Sequence, residues 1–125
     1  RLAGFLKALR EKGVLKKGYE IFEIRKHSFQ DGKNAFNSLV KKGVDCVFSA
    51  AGDVPAYGFL FEARKQQVSG IRIIGFDDAV MSEGMGLTTV KQYVKEMGIA
   101  AFEAAAGKES ANLSFVTKLI ARETA

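Results

Sequence analysis

The sequence predicts an α/β domain in which a parallel sheet lies between two layers of helices. Segments with helical periodicity alternate along the chain with short apolar segments that are typical of strands. The run Ile71-Arg72-Ile73-Ile74 suits a parallel strand that is covered on both faces. Strand, helix and strand follow one another at spacings that favour right-handed parallel crossovers. We therefore expect a three-layer α/β/α architecture.

The first two helices are marked by their apolar spacing and by the residues at their ends. A spacing of i, i+3, i+4, i+7 predicts an amphipathic helix over residues 1–12, carried by Leu2, Phe5, Leu6 and Leu9. Gly13 can end this helix in a left-handed conformation. We expect the second helix to begin near Asp31 as its N-cap and to end before Gly43.

The third helix follows Asp53, which is placed as its N-cap, with Pro55 in the first turn. At ~100° per residue it has two apolar faces. One face holds Val54, Tyr57, Gly58 and Phe61, and the other holds Ala56, Leu60 and Ala63. One face can cover the sheet, and we expect the face with Leu60 to meet a second copy of the chain, since alanine and leucine allow close approach. A helix flanked by neighbours on both sides is the alternative.

The remaining segments predict strands and one further helix. Strand-like segments fall at residues 19–24, 44–50, 71–76 and 87–90, and a final one spans residues 113–122. A helix is expected over residues 92–106, with one apolar face formed by Val94, Met97, Gly98, Ala101 and Ala105. Residues 82–86 contain two glycines and resemble a hinge, because glycine absorbs backbone rotation easily.

Composition places the chain among globular domains with a packed core. Of its 125 residues 47% are hydrophobic and one is proline, which excludes disordered and collagen-like chains. No apolar stretch reaches the ~18 residues needed to span a bilayer, so we expect no membrane contact. The single cysteine cannot form an internal disulfide, in keeping with a reducing compartment, and the cytoplasm is the expected location. The chain begins at Arg1 rather than at methionine, so we expect further sequence upstream.

The net charge of +5 does not predict a nucleic-acid surface. It comes from 19 basic and 14 acidic residues, and most of the excess lies early, in Lys7, Arg10, Lys12, Lys16 and Lys17. A nucleic-acid surface would add a recognition helix, a platform of stacking aromatic residues or a zinc module, and the sequence predicts none of these. We expect a solvated basic face instead.

Catalysis is not expected of this chain, and neither is a cofactor or a metal. Cys46 lies inside a predicted strand, where it should be a core residue, and His27 is the only histidine. One histidine cannot serve a nucleophile as its base and hold a metal as well. The histidine, the cysteine and the carboxylates also lack the spacing of metal ligands. The sequence therefore predicts a binding protein without catalytic residues.

Asp77 is the residue that points most directly to a ligand. It follows the predicted strand at residues 71–76, and open parallel sheets bind ligands beyond the carboxyl ends of their strands. One ionised carboxylate can accept two hydrogen bonds from adjacent hydroxyl groups. A small polyhydroxy ligand therefore fits this position better than catalysis does. A turn-capping carboxylate is the alternative, as we expect for Asp78.

Four landmarks give the chain a resemblance to a known family. They are Arg1-Leu2-Ala3-Gly4-Phe5 at the start of a helix, Gly52-Asp53 before Ala56-Tyr57-Gly58, Ile74-Gly75-Phe76-Asp77-Asp78 leading to Leu87-Thr88-Thr89-Val90, and Leu119-Ile120-Ala121-Arg122-Glu123-Thr124 near the end. In this order and at these intervals the chain resembles the C-terminal half of the effector-binding domain of LacI/GalR-family transcriptional repressors. That domain shares its type I fold with periplasmic sugar-binding proteins.

The resemblance implies that the chain is divided between two lobes. Residues 1–86 would form the C-terminal lobe, residues 87–112 a crossover strand and helix of the N-terminal lobe, and residues 113–125 a return strand. The DNA-binding headpiece and most of the N-terminal lobe would lie outside this chain. The helix over residues 92–106 would then lack its usual cover, and we expect it to pack against a symmetric copy or to sit displaced.

Four residues match ligand-binding positions of the family. Arg1 matches an arginine that reaches a sugar hydroxyl or an effector carboxylate, and Asp77 matches an aspartate that accepts from the ligand. His27 stands where many relatives place an aromatic residue that stacks on the ligand, a role that Phe29 could fill instead. Gln92 matches a glutamine that faces the cleft. The alternatives are a frayed terminal side chain for Arg1 and solvated side chains for His27 and Gln92.

The resemblance implies an effector-sensing regulatory domain of a LacI/GalR-type repressor. A sugar or sugar-like ligand would change lobe closure and thereby DNA affinity, as a population shift between two arrangements. A homodimer is also implied, with operator binding through the headpiece that this chain lacks. Gly52 stands where many sugar-responsive members have asparagine, which leaves the ligand class open. A periplasmic sugar-binding protein of a transport system is the alternative.

Overall fold

The structure of the chain is a computed structural model that describes residues 1–14, 18–107 and 113–125. Its helices are α1 (Leu2–Glu11), α2 (Phe29–Leu39), α3 (Asp53–Lys65), α4 (Met81–Gly84) and α5 (Val94–Ala105), with a 3₁₀ turn, Val40–Lys42, after α2. Its strands are β1 (Cys46–Phe48), β2 (Arg72–Asp77), β3 (Thr88–Lys91) and β4 (Lys118–Ile120). Lys16 and Lys17 of the predicted basic face, and residues 108–112 of the predicted crossover segment, lie outside the described residues.

The four strands form one mixed sheet in the order β1-β2-β3-β4. Both β1 and β3 pair parallel with β2, which places Phe48 and Thr88 on either side of Ile74. The last strand, β4, pairs antiparallel with β3, with Ile120 opposite Thr89. The predicted α/β class is confirmed. The sheet is mixed rather than wholly parallel, because the final segment returns alongside β3 in the opposite direction.

Helices cover the sheet on both faces, as the apolar run of β2 predicts. Ile73 and Leu87 lie in the core together with residues of α2 and α3. Side chains alternate along a strand, so the neighbours of Ile73 point to the opposite face. On that face Phe48 stacks on Phe5 of α1 with 5.1 Å between ring centroids, and its ring lies 6.4 Å from that of Phe76. The predicted three-layer architecture is therefore present.

Two glycines bring α2 and α3 into direct backbone contact. A Cβ atom on Gly32 would lie 1.9 Å from the Pro55 carbonyl oxygen, and one on Gly58 would lie 1.9 Å from the Phe29 carbonyl oxygen. Any side chain at either position would force the helices apart, because a backbone oxygen cannot rotate away. This contact fixes the loops before both helices, and those loops carry His27 and residues 50–52 of the candidate site.

The predicted dimer face of α3 is wrong. Its residues Ala56, Leu60 and Ala63 are all buried within the chain. They lie in the same core cluster as Ile73, because α3 is enclosed between α2 and the sheet. The alternative, a helix flanked on both sides, is what the structure has. Two apolar residues of α3 remain exposed, Val54 and Phe61.

Both predicted acidic N-caps are displaced from the cap position. Ser28 caps α2, and its Oγ accepts from the Asp31 N–H at 3.1 Å while Asp31 accepts from the Ser28 N–H at 2.9 Å. This reciprocal capping box lowers the pKa of Asp31, and the backbone N–H of Ser28 contributes most. Gly52 is the N-cap of α3, and Asp53 is its first residue. Residue type alone places an acid near a helix start but does not fix its position within the first turn.

Two predictions for the edge of the sheet are also wrong. Residues 19–24 do not form the predicted strand, and Tyr19 and Ile21 are half exposed. A segment rich in apolar residues forms a strand only beside a neighbouring strand, with one face buried, and here Glu20 instead pairs with Lys42 at 2.8 Å. Cys46 is exposed rather than a core residue, because it begins β1, a short edge strand.

No helix among the described residues is long and apolar enough to cross a membrane.

Candidate functional site

The candidate site lies where three neighbouring strands end. Asp77 is the last residue of β2, and Gln92 follows β3 directly. Residues 50–52 form the loop between β1 and α3 at the same edge of the sheet. Because these strands run parallel, their carboxyl ends meet, and this is where open α/β sheets bind ligands.

Three of the four predicted site residues meet at the Asp77 carboxylate. Asp77 Oδ1 accepts from Arg1 Nη2 at 3.1 Å and from the side-chain amide of Gln92. Arg1 also donates to the Ala50 carbonyl oxygen at 3.1 Å, and its guanidinium lies 4.0 Å from the centroid of the Phe76 ring. Arg1 is therefore held in place at three points rather than frayed. The side chains of Arg1 and Asp77 are each 37% exposed, so a ligand can reach both.

His27 lies beside this group but bonds to a different part of the site. Its Nδ1 is 3.3 Å from the Ala51 carbonyl oxygen, next to the carbonyl that Arg1 binds. The backbone of His27 has a φ of 53°, a left-handed conformation that few residues other than glycine adopt. The loop before α2 therefore presents the imidazole at the β1–α3 loop rather than at Asp77 itself.

Gly52 shapes the space around the Asp77 carboxylate. Its φ is 113°, and a Cβ atom there would lie 2.8 Å from Asp77 Oδ2. A side chain at this position would be strained and would crowd the carboxylate. Glycine therefore leaves Oδ2 open on that side, which gives a structural reason for the departure from asparagine noted in the sequence.

Asp77 and Asp78 form a strained turn at the end of β2. Their φ angles are 126° and 56°, so two consecutive residues with side chains adopt left-handed conformations. Conformations of this kind persist only where the surrounding structure holds them. Asp78 is held by Arg122 at 2.8 Å and by Lys91 at 3.6 Å. Arg122 also donates to the Leu87 carbonyl oxygen at 2.8 Å, so the end of the chain is tied to this turn.

A buried carboxylate, Asp53, lies directly behind the turn. It is 1% exposed and accepts from the Ala79 N–H at 2.8 Å, from Ser82 Oγ at 2.7 Å and from Thr89 Oγ1 at 2.6 Å. Tyr57 closes the network with its hydroxyl 2.7 Å from Ser82 Oγ, and burial raises the pKa of that tyrosine. Residues 82–86 begin inside α4, where Ser82 is fully buried, and their role as a hinge stays a prediction. The sequence placed Asp53 correctly near a helix start but could not show which distant donors it accepts from.

An open depression of about 490 Å³ lies on the other side of the turn. It is bounded by the Asp77–Asp78 turn on one side and by the start of α5 on the other. Its lining consists of Asp77, Asp78, Ala79, Val80, Lys91, Gln92, Tyr93, Val94, Lys95 and Glu96. The depression begins at the Asp77 carboxylate, so a ligand bound there can extend toward α5.

The chemistry of the site is that of hydrogen bonding to a polar ligand. Asp77 supplies carboxylate acceptors, and Arg1 and Gln92 supply donors beside them. In the described parts of the chain no three histidine, cysteine or carboxylate side chains converge as metal ligands would. Acceptors and donors that lie this close together can form several hydrogen bonds to one polar molecule.

Comparison of the sequence with protein-family models and with curated proteins finds no match. Solved structures do match. A probable transcription regulator from Thermus thermophilus is 29% identical with a TM-score of 0.80, over 96% of this chain and 50% of that one. The lac repressor dimer bound to operator and an anti-inducer is 22% identical with a TM-score of 0.78, over 99% of this chain and 46% of that one. A LacI-family regulator from Enterococcus faecalis with bound ribose is 21% identical with a TM-score of 0.68, over 84% and 43%.

The fold is therefore that of the effector-binding domain of a class of transcription regulators. The class is the LacI family: the resemblance inferred from the four landmarks is confirmed, and this chain has the fold of that family's effector-binding domain. The chain spans about half the length of the structures that it matches.

Proposed function

We propose that this chain is part of the effector-sensing domain of a LacI/GalR-type repressor and binds a small sugar-like ligand at Asp77. The observation that carries the proposal is the convergence of Arg1 and Gln92 on an exposed carboxylate at the ends of parallel strands. The bound ribose in the Enterococcus faecalis neighbour supports a sugar as the ligand class. The role of the site is binding rather than catalysis, in a protein of the cytoplasm.

The ligand would act by changing the balance between two arrangements of the domain. Residues 1–86 and 113–125 would supply one wall of the cleft, and the remainder of the intact protein would supply the other. A ligand can shift such a balance only through its different affinities for the two arrangements, and coupling of this kind is typically ~1–3 kcal/mol. Operator DNA would be bound by a headpiece outside this chain.

The exposed apolar side chains of α5 support a second lobe. Val94, Met97, Ile99 and Phe102 are all exposed, and Phe102 is 73% exposed. A helix with this much exposed apolar surface needs a cover in the intact protein. We propose that residues 87–112 belong to the second lobe, as the division inferred from the sequence implies, and that this lobe covers α5.

The proposed function can be tested on the intact protein with D-ribose as the probe. Genomic DNA fragments retained by the protein would be sequenced with and without the sugar, and D-ribose binding would be measured by calorimetry. We expect retention of a specific fragment and a change in its affinity when D-ribose binds. Sugar binding without retention of any specific DNA would contradict the repressor function and favour a transport receptor. Retention of DNA unaffected by a panel of sugars would contradict a sugar-like effector.

A homodimer is part of the proposal, with an interface different from the one predicted from the sequence. Phe29 and Phe61 are both exposed, although their rings lie 5.5 Å apart. Val54, on the same side of α3 as Phe61, is also exposed. Val80 is 98% exposed. It follows Ala79, whose N–H donates a hydrogen bond to Asp53 in the first turn of α3. We propose that these four apolar residues, named here the α3 patch, meet the same patch of a second copy.

Replacing Phe61 with glutamate should convert the dimer into monomers. A charge at the centre of an apolar interface must be desolvated on association, and such central positions contribute about 2–4 kcal/mol, so the dissociation constant should rise at least ~30-fold. Sedimentation of the intact protein would measure it. The matched control is Ile21→Glu, which adds the same charge at a half-exposed position. Ile21 follows Glu20, whose partner Lys42 lies beyond the end of α2 that is opposite Phe29. A Phe61 variant that remains as dimeric as this control would place the interface elsewhere.

A further inference from the structure

We infer that Asp53 is a positioning residue that sets the ligand-binding carboxylate of Asp77 by holding the strained turn after β2. The inference rests on the proposed function, since it concerns the same site. Asp53 does not itself bond to Asp77. It acts through the backbone of the two residues that follow Asp77 and through the strand that leads to Gln92.

Asp53 holds the N–H groups of both residues after Asp77, one directly and the other through the hydroxyl of Thr89. The Ala79 N–H donates directly to Asp53 Oδ2 at 2.8 Å. The Asp78 N–H donates to Thr89 Oγ1 at 3.3 Å, and the same hydroxyl donates to Asp53 Oδ1 at 2.6 Å. Each oxygen of one carboxylate therefore fixes one of two consecutive peptide groups. Both groups belong to the turn with positive φ angles, which needs such anchors to persist.

The same carboxylate also fixes the strand that carries the other ligand-binding donor. Thr89 lies in β3 and is fully buried, and Gln92 follows that strand after Lys91. A bond from Thr89 to Asp53 therefore sets the position of β3 relative to α3. Gln92 donates to Asp77, so Asp53 sets the positions of both residues in that hydrogen bond.

Gly75 leaves space on the sheet for the carboxylate of Asp53. A Cβ atom at Gly75 would lie 2.1 Å from Asp53 Oδ1 and 2.9 Å from a methyl carbon of Leu87. The backbone conformation of Gly75 does not itself demand glycine, since its φ is not positive. Its missing side chain leaves the room in which Asp53 reaches Thr89.

A carboxylate suits this position because every partner is a donor. An ionised carboxylate only accepts, whereas an asparagine amide presents an NH₂ group in place of one oxygen. In Asp53→Asn, with the amide oxygen facing Thr89, the NH₂ group would face the Ala79 N–H, and two donors cannot bond. The Ala79 N–H would then be buried without an acceptor, and the turn would relax toward commoner backbone angles. Asp77 would move away from Arg1 and Gln92.

The test compares Asp53→Asn with wild type in the intact protein, with Asp45→Asn as the matched control. Asp45 is an exposed carboxylate paired with Arg72 at the opposite end of β2. Amide hydrogen exchange at Asp78 and Ala79 and the carboxyl-carbon NMR resonance of Asp77 would be measured without ligand, and D-ribose affinity by calorimetry. In Asp53→Asn we expect Ala79 to exchange at least ~10-fold faster and the Asp77 resonance to move toward that of a solvated carboxylate, while D-ribose affinity falls at least ~10-fold in fully folded protein. The control should match wild type.

Several outcomes would decide the inference. Unchanged exchange at Ala79 and an unchanged Asp77 resonance would overturn it, whether or not D-ribose binds. A lower melting temperature with the D-ribose affinity of the folded protein unchanged would also overturn it, since that is the signature of a purely structural residue. If wild type does not bind D-ribose, the proposed sugar ligand fails, and the exchange and resonance measurements still decide the role of Asp53.

A second variant keeps the inference testable if Asp53→Asn does not fold. Thr89→Val preserves shape and removes only the hydroxyl that links the Asp78 N–H to Asp53. We expect faster exchange at Asp78, little change at Ala79 and a moved Asp77 resonance. An Asp77 resonance identical to that of wild type would overturn the inference.

Discussion

Replacing Gly58 with alanine is expected to lower the free energy of unfolding by about 3 kcal/mol, a large fraction of the ~5–15 kcal/mol that stabilises an ordinary domain. The new Cβ atom would lie 1.9 Å from the Phe29 carbonyl oxygen. The obstacle is a backbone atom, so no side-chain rotation can relieve it, and α2 and α3 must separate. Separation would open the core around Phe36, which is fully buried between these helices and the sheet. Urea unfolding of the intact protein, followed by circular dichroism, would measure the loss.

Gly4→Ala is the matched control for this prediction. Gly4 lies in α1, and a Cβ atom there would meet nothing within 4 Å. The same substitution should therefore leave stability unchanged or raise it by about 0.5–1 kcal/mol, the usual advantage of alanine in a helix. If Gly58→Ala proved as stable as Gly4→Ala, the close approach of α2 and α3 would be wrong.

Replacing Asp77 with asparagine in the intact protein should weaken D-ribose binding about 10- to 100-fold while the fold is retained. Asparagine keeps the shape of the side chain but removes the charge that pairs with Arg1 and replaces one acceptor by a donor. Hydrogen bonds to a charged group contribute about 1.5–3 kcal/mol, which corresponds to that range of affinity. The Arg1 pair is partly exposed, so its loss should cost only ~0–1 kcal/mol of stability. Calorimetric titration and thermal unfolding together separate the two effects.

The control for Asp77→Asn is Asp45→Asn, which removes an equal charge from an exposed carboxylate far from the site. Its D-ribose affinity should equal that of wild type. An Asp77 variant with unchanged affinity would remove Asp77 from the binding site. Loss of binding accompanied by unfolding would instead give Asp77 a structural role that its exposure does not predict.

The four longer helices and the central strand were predictable because they depend on local patterns. The apolar spacing of residues 1–12 predicts α1 to within a residue, and Gly13 ends it with a φ of 67° as expected. The apolar run at residues 71–76 corresponds to β2. The predicted strand at residues 19–24 was wrong, because a segment rich in apolar residues does not establish that a neighbouring strand exists. The burial of Leu60 could not be predicted from local patterns either, since it depends on how closely α2 approaches α3.

The sequence also predicted only part of the candidate site. Arg1, Asp77 and Gln92 were assigned to the site one by one from family-like positions, and the hydrogen bonds that bring them together were not predicted. Their role in ligand binding stays a prediction. Asp53 was assigned to a cap because an acid before a helix usually serves there. Its actual partners lie 26 to 36 residues away in sequence, and no periodicity links them. The signal that could have pointed to them is Gly75, a glycine inside a buried strand, which marks a close approach by another group.

The antiparallel return of β4 also determines the order in which the chain can fold during its synthesis. The Thr124 carbonyl oxygen accepts from the Ile73 N–H at 2.8 Å, and Arg122 donates to the Leu87 carbonyl oxygen, so residues 122–124 contact strands that are synthesised well before them. Contacts between distant parts of a chain form late, because a large loop must close before they stabilise anything. The strands β1, β2 and β3 can therefore assemble while one edge of β3 still has no neighbour. Until residues 118–125 emerge from the ribosome, that unpaired edge of β3 is open to pairing with another molecule.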